Sequence, residues 1–178
     1  MRIYYDTEFL ENGHTIELIS IGMVAQDGRE YYAVNADMPQ GSVWDHPWLR
    51  ENVWPQLPRI DDRPYGLDYE HPDVRGRDQI ALEVRAFLLA DDRTPELWAD
   101  YAGYDHVALC QLWGTMADLP QGLPMFTHEL QQEIEKMPAG DPGPQQTSGA
   151  HHALADARHA RELGRWVGHR FAVAPAAG

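Results

Sequence analysis

Three strand-like segments at the start of the chain, separated by turn signals, restrict the fold more than anything that follows them. Residues 2–9 (RIYYDTEF) and 15–25 (TIELISIGMVA) are rich in aromatic and β-branched residues, and REYYAVNAD at 29–37 is of the same type. QDG at 26–28 is a hairpin signal, so the N-terminal third reads as a three-strand antiparallel meander. The pattern then changes to a helical period. Ile80, Val84, Phe87 and Leu88 share one face of a helix over residues 79–89. A short strand, ELWADYA (96–102), precedes helices over YDHVALCQLWGTM (104–116), MFTHELQQEIEKM (125–137) and HALADARHARELGRWVGHRF (152–171). This order predicts an α/β fold with a mixed sheet flanked by helices.

Two stretches carry no such period. Residues 38–77 are dense in proline, tryptophan and charge, and read as an irregular insert with one short helix near HPWLRENVWPQL. PAGDPGPQQTSG, just before the last helix, reads as a flexible loop, and residues 172–178 as a frayed tail. At 178 residues and 20.2 kDa, the chain suits a single domain spanning 1–178. It has no apolar run of membrane-spanning length and no signal peptide pattern, so a soluble, cytoplasmic protein is expected. A lone cysteine, Cys110, excludes an internal disulfide and a multi-cysteine zinc site, and its apolar setting marks it as a core thiol.

Charge restricts the ligand. The 28 acidic residues outnumber 14 basic ones, of which only Lys136 is lysine, giving a net charge of −14. No basic stripe of the kind that grips a long phosphate backbone is visible in the sequence. A nucleic acid could be held only at a strand end, by metal ions and a few arginines.

The carboxylates that could hold such ions come in patterns. Asp6 and Glu8 are two apart on the first strand, so they point to one face and can chelate one hard cation. With 16 Asp and 12 Glu in the chain, about one Asp-x-Glu arises by chance, and a second copy exists at Asp68 and Glu70. That copy lies in a proline- and glycine-rich loop where nothing fixes the two side chains together. His151 and Asp156 stand five apart where a glycine-rich loop enters the last helix, which suits a movable base beside a fixed ligand. Asp105 lies at the start of a helix, where a cap is the plain alternative, and Asp100 on the preceding strand competes with it. His152 competes with His151 in the same way.

DTEF, ADYAGYDHVAL and HHALADA occur in the order of the three motifs of the DEDDh 3′-5′ exonucleases. Over most of its length the chain resembles the small actinobacterial polyadenylate-specific 3′-exoribonucleases, relatives of RNase T. The resemblance implies an RNase H-like mixed sheet with its first three strands antiparallel. It implies Asp6, Glu8, Asp105 and Asp156 as ligands of two Mg²⁺ or Mn²⁺ ions, with Asp6 touching both, and His151 as the general base. Thr7, Phe9 and Leu10 would touch the terminal nucleotide, and nucleoside 5′-monophosphates would leave the 3′ end of RNA. Family members often carry Asn where this chain has Asp100. Two other readings stay open. One is a metal phosphoesterase acting on short oligonucleotides or small nucleotides, and the other a non-catalytic RNase H-like binding module. Six tryptophans and the proline-rich insert also fit a homodimer interface.

Overall fold

In the computed structural model, residues 1–61, 63–137 and 143–173 are described, with side chains through residue 168. The meander is present as β1 (Arg2–Glu11), β2 (Ile16–Ala25) and β3 (Glu30–Asn35), each antiparallel to the next. Two-residue β4 (Val74–Arg75) adds in parallel to β3. On the other side β5 (Glu96–Ala99) runs parallel to β1, and β6 (His128–Glu129) parallel to β5. Across this six-stranded sheet the order is β4, β3, β2, β1, β5, β6. It is a mixed sheet with antiparallel leading strands and helices on both faces.

A bulge decides which residues of β2 face which side. Between Glu8 and Phe9 the register with β2 slips, because Ile19 is an extra residue between Ser20 and Leu18. Ile16 and Leu18 before the bulge, and Ile21 and Met23 after it, therefore enter one core together with Ile3 and Tyr5 of β1. That core is closed by α3 (Arg77–Leu88), through Ile80 and Val84, and by α4 (Gly103–Cys110), through Ala108 and Leu109. Ile19 faces the opposite side of the sheet. There it meets Leu10 and Val34, and the apolar side chains of the segment that follows β3.

That segment carries the short helix expected near HPWLRENVWPQL and one more before it. It folds as α1 (Gln40–Asp45), α2 (Pro47–Asn52) and a 3₁₀ turn (Trp54–Gln56), and it buries Val43, Leu49, Val53, Trp54 and Leu67 against the sheet. Prolines at the first turns of α2 and the 3₁₀ turn start these elements rather than break them. Long α6 (Ala153–Val173) covers the rest of the same face, with Ala160 and Leu163 on Tyr4.

Three other boundaries differ from the sequence pattern. The strand expected over 96–102 ends at Ala99. The helix expected through residue 116 ends at Cys110, where the amides of Leu112, Trp113 and Gly114 turn back to carbonyls three residues earlier and Gly114 takes φ 113°. The helix expected over 125–137 shrinks to α5 (Leu130–Ile134), because His128 and Glu129 are drawn into the sheet beside β5. A ring stack between Trp98 and His128, centroids 4.5 Å apart, reinforces that pairing. The glycine-rich loop is described from residue 143, and its preceding five residues lie outside the described set, as does the expected tail beyond Val173.

Candidate active site

Alternation along β1 sends Asp6 and Glu8 to the face shared with α6 and the insert. What brings α6 to them is the absence of a side chain. Gly22 of β2 is the register partner of Asp6, and a Cβ placed on it would collide with the backbone of Ala153 and Leu154 at the start of α6. The first turn of α6 thus lies directly against the sheet, beside the carboxylate strand. His151 and Asp156 arrive with it. The ligating atoms of Glu8, His151 and Asp156 all lie within 4.8 Å of one another.

Asp105 comes from the other face. Its helix, α4, is not capped by a side chain at its start, and Asp105 instead reaches across to β1. There the Thr7 amide and hydroxyl both donate to Asp105 Oδ1, at 2.8 and 2.6 Å. The turn before α4 is held by Glu129, whose carboxylate accepts the amides of Tyr101 (2.9 Å) and Ala102 (2.7 Å). This lets Tyr101 adopt φ 55°. Asp156 is held too. Gln146 Nε2 donates to its Oδ1 at 2.5 Å, and the His151 amide to its Oδ2 at 2.9 Å. His151 itself sits at φ 65°, with its ring edge-on to Trp48 at 4.7 Å.

Together these groups line a cleft of about 310 Å³, formed by Asp6, Glu8, Asp100, Asp105, His151 and Asp156 with Thr7, Phe9, Trp48, Tyr101 and Tyr104. Phe9 stacks on Tyr104, centroids 5.7 Å apart. Leu10 is elsewhere, buried among the apolar side chains under the insert. Asp100 lines the cleft but accepts a hydrogen bond from Gln131 at 2.7 Å. His152 points away and stacks on Tyr32. Asp68 and Glu70 stay outside the cleft, and Asp68 accepts the Glu70 amide. Cys110 is buried, and burial raises its thiol pKa, as befits a core residue.

Five carboxylates in one cleft repel each other. Loss of hydration, then the charges of Asp105, Glu8, Asp156 and Asp100, push Asp6 well above the usual carboxylate range. Burial and then Asp156 and Asp105 push Glu8 up to about 8. Burial raises Asp105 to about 6, against the lowering effect of the two Thr7 hydrogen bonds. Oxygen donors of this kind, short of positive charge, suit a hard divalent cation. Among the described residues, no lysine or arginine lines the cleft to take that part.

Trp48, Tyr101, Tyr104, Gly22, Gln146 and Glu129 were not found by reading the sequence. Trp48 lay in the segment without periodicity, and the others carry no local signal of the contacts they make.

An acidic, aromatic-rimmed cleft on a six-stranded mixed sheet defines an α/β protein whose clustered oxygen donors could take a divalent cation. Residues 1–166 match the 3′-5′ exoribonuclease Rv2179c-like domain, and the chain belongs to that family. It is 47% identical over 161 residues to the 3′-5′ exoribonuclease Rv2179c of Mycobacterium tuberculosis, covering 89% of this chain and 88% of that protein. The 3′-5′ exoribonuclease MT2234.1, from another strain of that organism, matches to the same extent. Among solved structures, S. pombe Pop2p in its Mg²⁺- and Mn²⁺-bound form shares the fold, with a TM-score of 0.51 at 13% identity. That match covers 96% of this chain and 83% of the other.

Proposed function

We propose that the chain is a DEDDh-type, RNase H-like exoribonuclease that removes nucleoside 5′-monophosphates from the 3′ end of RNA, using Asp6, Glu8, Asp105 and Asp156 to hold two Mg²⁺ or Mn²⁺ ions. The observation that carries this reading is the convergence of Glu8, His151 and Asp156 ligating atoms within 4.8 Å, in the same cleft as Asp6 and Asp105. Family membership supports the substrate and polarity of attack. When bound, the ions supply charge neutralisation at the scissile phosphate and acidify the attacking water.

The chain's own groups do the rest. Thr7 fixes one oxygen of Asp105, and Gln146 with the His151 amide orients both oxygens of Asp156, so the donors are set before substrate arrives. His151 takes the water's proton, its ring steadied by Trp48. Phe9 and Tyr104 offer an aromatic wall to the terminal base, with exposed Tyr101 at the rim. The Thr7 side chain is committed to Asp105 and Leu10 lies in the core, so recognition falls mainly on the aromatic residues. The expected homodimer remains part of this proposal. Its tryptophan argument is weaker, since Trp44 and Trp54 pack edge to face within one chain and Trp48 meets His151.

End-labelled RNA and DNA, digested with Mg²⁺ or Mn²⁺ alongside dinucleotides and mononucleotide esters, test the reading. His151→Ala should lower turnover by roughly two to four orders of magnitude with Mn²⁺ affinity nearly intact. A large loss of Mn²⁺ affinity would make His151 a ligand rather than the base. Asp6→Asn should abolish hydrolysis, and robust cleavage by that variant would overturn the assignment.

A further inference from the structure

Arg158, Arg161 and Arg165 follow each other on α6 at spacings of three and four, so they share one helix face. This stripe starts two residues after Asp156 and runs away from the cleft. Glu30 holds Arg158 through two hydrogen bonds of 2.9 and 2.6 Å. Arg161 and Arg165 then meet Arg2 around a separate pocket of about 310 Å³, walled by Tyr4 and Gln26. Gly164 and Gly168 keep it open, and a Cβ at Gly164 would collide with the Tyr4 ring.

The cations here are incompletely satisfied. Arg2 has Glu96 at 3.4 Å and lies over the Trp98 ring, 5.3 Å from its centroid. Arg161 donates to the Gln26 carbonyl at 3.2 Å, but its Nε is buried with no hydrogen-bond partner. Neither Arg161 nor Arg165 has a carboxylate within ion-pairing distance among the described residues. In a chain with twice as many acidic as basic residues, three guanidinium groups around one pocket, one with an orphaned donor, call for an anion between them. The planar guanidinium fork favours phosphate oxygens.

We infer that this pocket binds a backbone phosphate of the RNA strand whose 3′ end occupies the carboxylate cleft. The inference rests on the proposed function. Nine residues of helix separate Asp156 from Arg165, about 13 Å of rise and about half a turn around the axis, so the two side chains leave α6 on opposite sides. The rise alone corresponds to about four stacked nucleotides at 3.4 Å per step and the path around the helix adds to it, a span that a dodecamer covers and a trinucleotide does not. The strand would therefore be gripped at two points, at the metal cleft and at the arginine pocket.

The test compares the unsubstituted enzyme with Arg161→Ala/Arg165→Ala on a single-stranded trinucleotide and a dodecamer. KM for the dodecamer should rise about tenfold, while kcat on both RNAs and KM for the trinucleotide stay within about twofold. The salt dependence of kcat/KM on the dodecamer should weaken by about 0.7 in log-log slope for each phosphate that the variant no longer neutralises. Arg161→Lys/Arg165→Lys should retain most of the affinity. An unchanged dodecamer KM, or equal losses on both lengths, overturns the inference. If the unsubstituted enzyme cleaves neither RNA, the proposed function fails instead. Anisotropy of labelled dodecamer on Asp6→Asn protein then judges the pocket alone, and a Kd indifferent to the double alanine substitution rejects it.

Discussion

Thr7 shows how a residue's task depends on what faces it across the fold. For this residue, between Asp6 and Glu8, the family resemblance implies contact with substrate, yet its side chain is buried and its hydroxyl donates to Asp105, 98 residues away. A buried hydrogen bond to a charged group contributes about 1.5–3 kcal/mol, and outer partners of metal ligands typically matter 10- to 100-fold in metal affinity or activity. Thr7→Val keeps the shape and removes the donor. It should reduce kcat about 10- to 100-fold, with weaker Mn²⁺ binding by calorimetry, while Thr7→Ser restores both. Equal activity of the valine and serine variants would reduce Thr7 to a packing residue. Trp48 acts at the same scale on His151, the proposed base. Its ring meets the His151 ring edge-on while His151 sits in a left-handed backbone conformation, so Trp48→Ala frees the imidazole to leave. That variant should lose turnover but keep its Mn²⁺ affinity, and a parallel fall in both would count against a role confined to His151.

Among the elements, the meander was legible from its aromatic and β-branched residues and the QDG turn, and the last helix from its length and amphipathic character. Asp6 and Glu8 could be paired from alternation alone, and His151 with Asp156 from their place where loop becomes helix. Asp105 could not. A carboxylate in the first turn of a helix reads as a cap, and only its hydrogen bonds from Thr7 on another strand show otherwise. In the insert the helix near HPWLRENVWPQL was expected, whereas α1, which starts after Pro39 without a side-chain cap, was not. His128 and Glu129 were misread as helical because parallel pairing with β5 outweighs local preference over so short a stretch. The arginine pocket was invisible because Arg2 and Arg165 meet only after 163 residues of chain have folded. Gly22 joins these elements: its missing Cβ admits the first turn of α6 to the carboxylate strand. Gly22→Ala should push that turn outward, lowering Tm and reducing activity by at least an order of magnitude. Gly28→Ala serves as a control for glycine loss in β2's hairpin, since its Cβ would meet only the end of the Arg161 side chain, although its φ of 97° also costs stability. If Gly22→Ala keeps full activity, close approach of α6 does not set the site.

At the scale of the whole molecule, a cleft of crowded carboxylates reverses the usual dependence of stability on pH. In the metal-free protein Glu8 titrates at about 8 and Asp105 at about 6, both above their ordinary values near 4. The folded state therefore keeps protons that the unfolded chain releases as pH rises above about 4. Their contribution to stability is fully present below that pH and is lost as pH climbs through 6 and then 8. Carboxylates held down by arginines, such as Asp27 and Glu30, change over at lower pH, while His106, lowered by burial, opposes the slope in the lower part of this window. Metal-free protein in a chelator should thus show Tm falling between pH 5 and 8, at about 2–4 °C per kcal/mol for a chain of this size. Bound Mg²⁺ or Mn²⁺ takes the place of those protons, so the rise in Tm on adding metal should be small at pH 5 and largest near pH 8. The general repulsion of a −14 chain slopes the same way, and Glu8→Gln separates the two effects. If the cleft is responsible, that substitution flattens the metal-free slope. If general repulsion is responsible, the slope persists in the variant, and the assignment of this pH dependence to the carboxylate cleft fails.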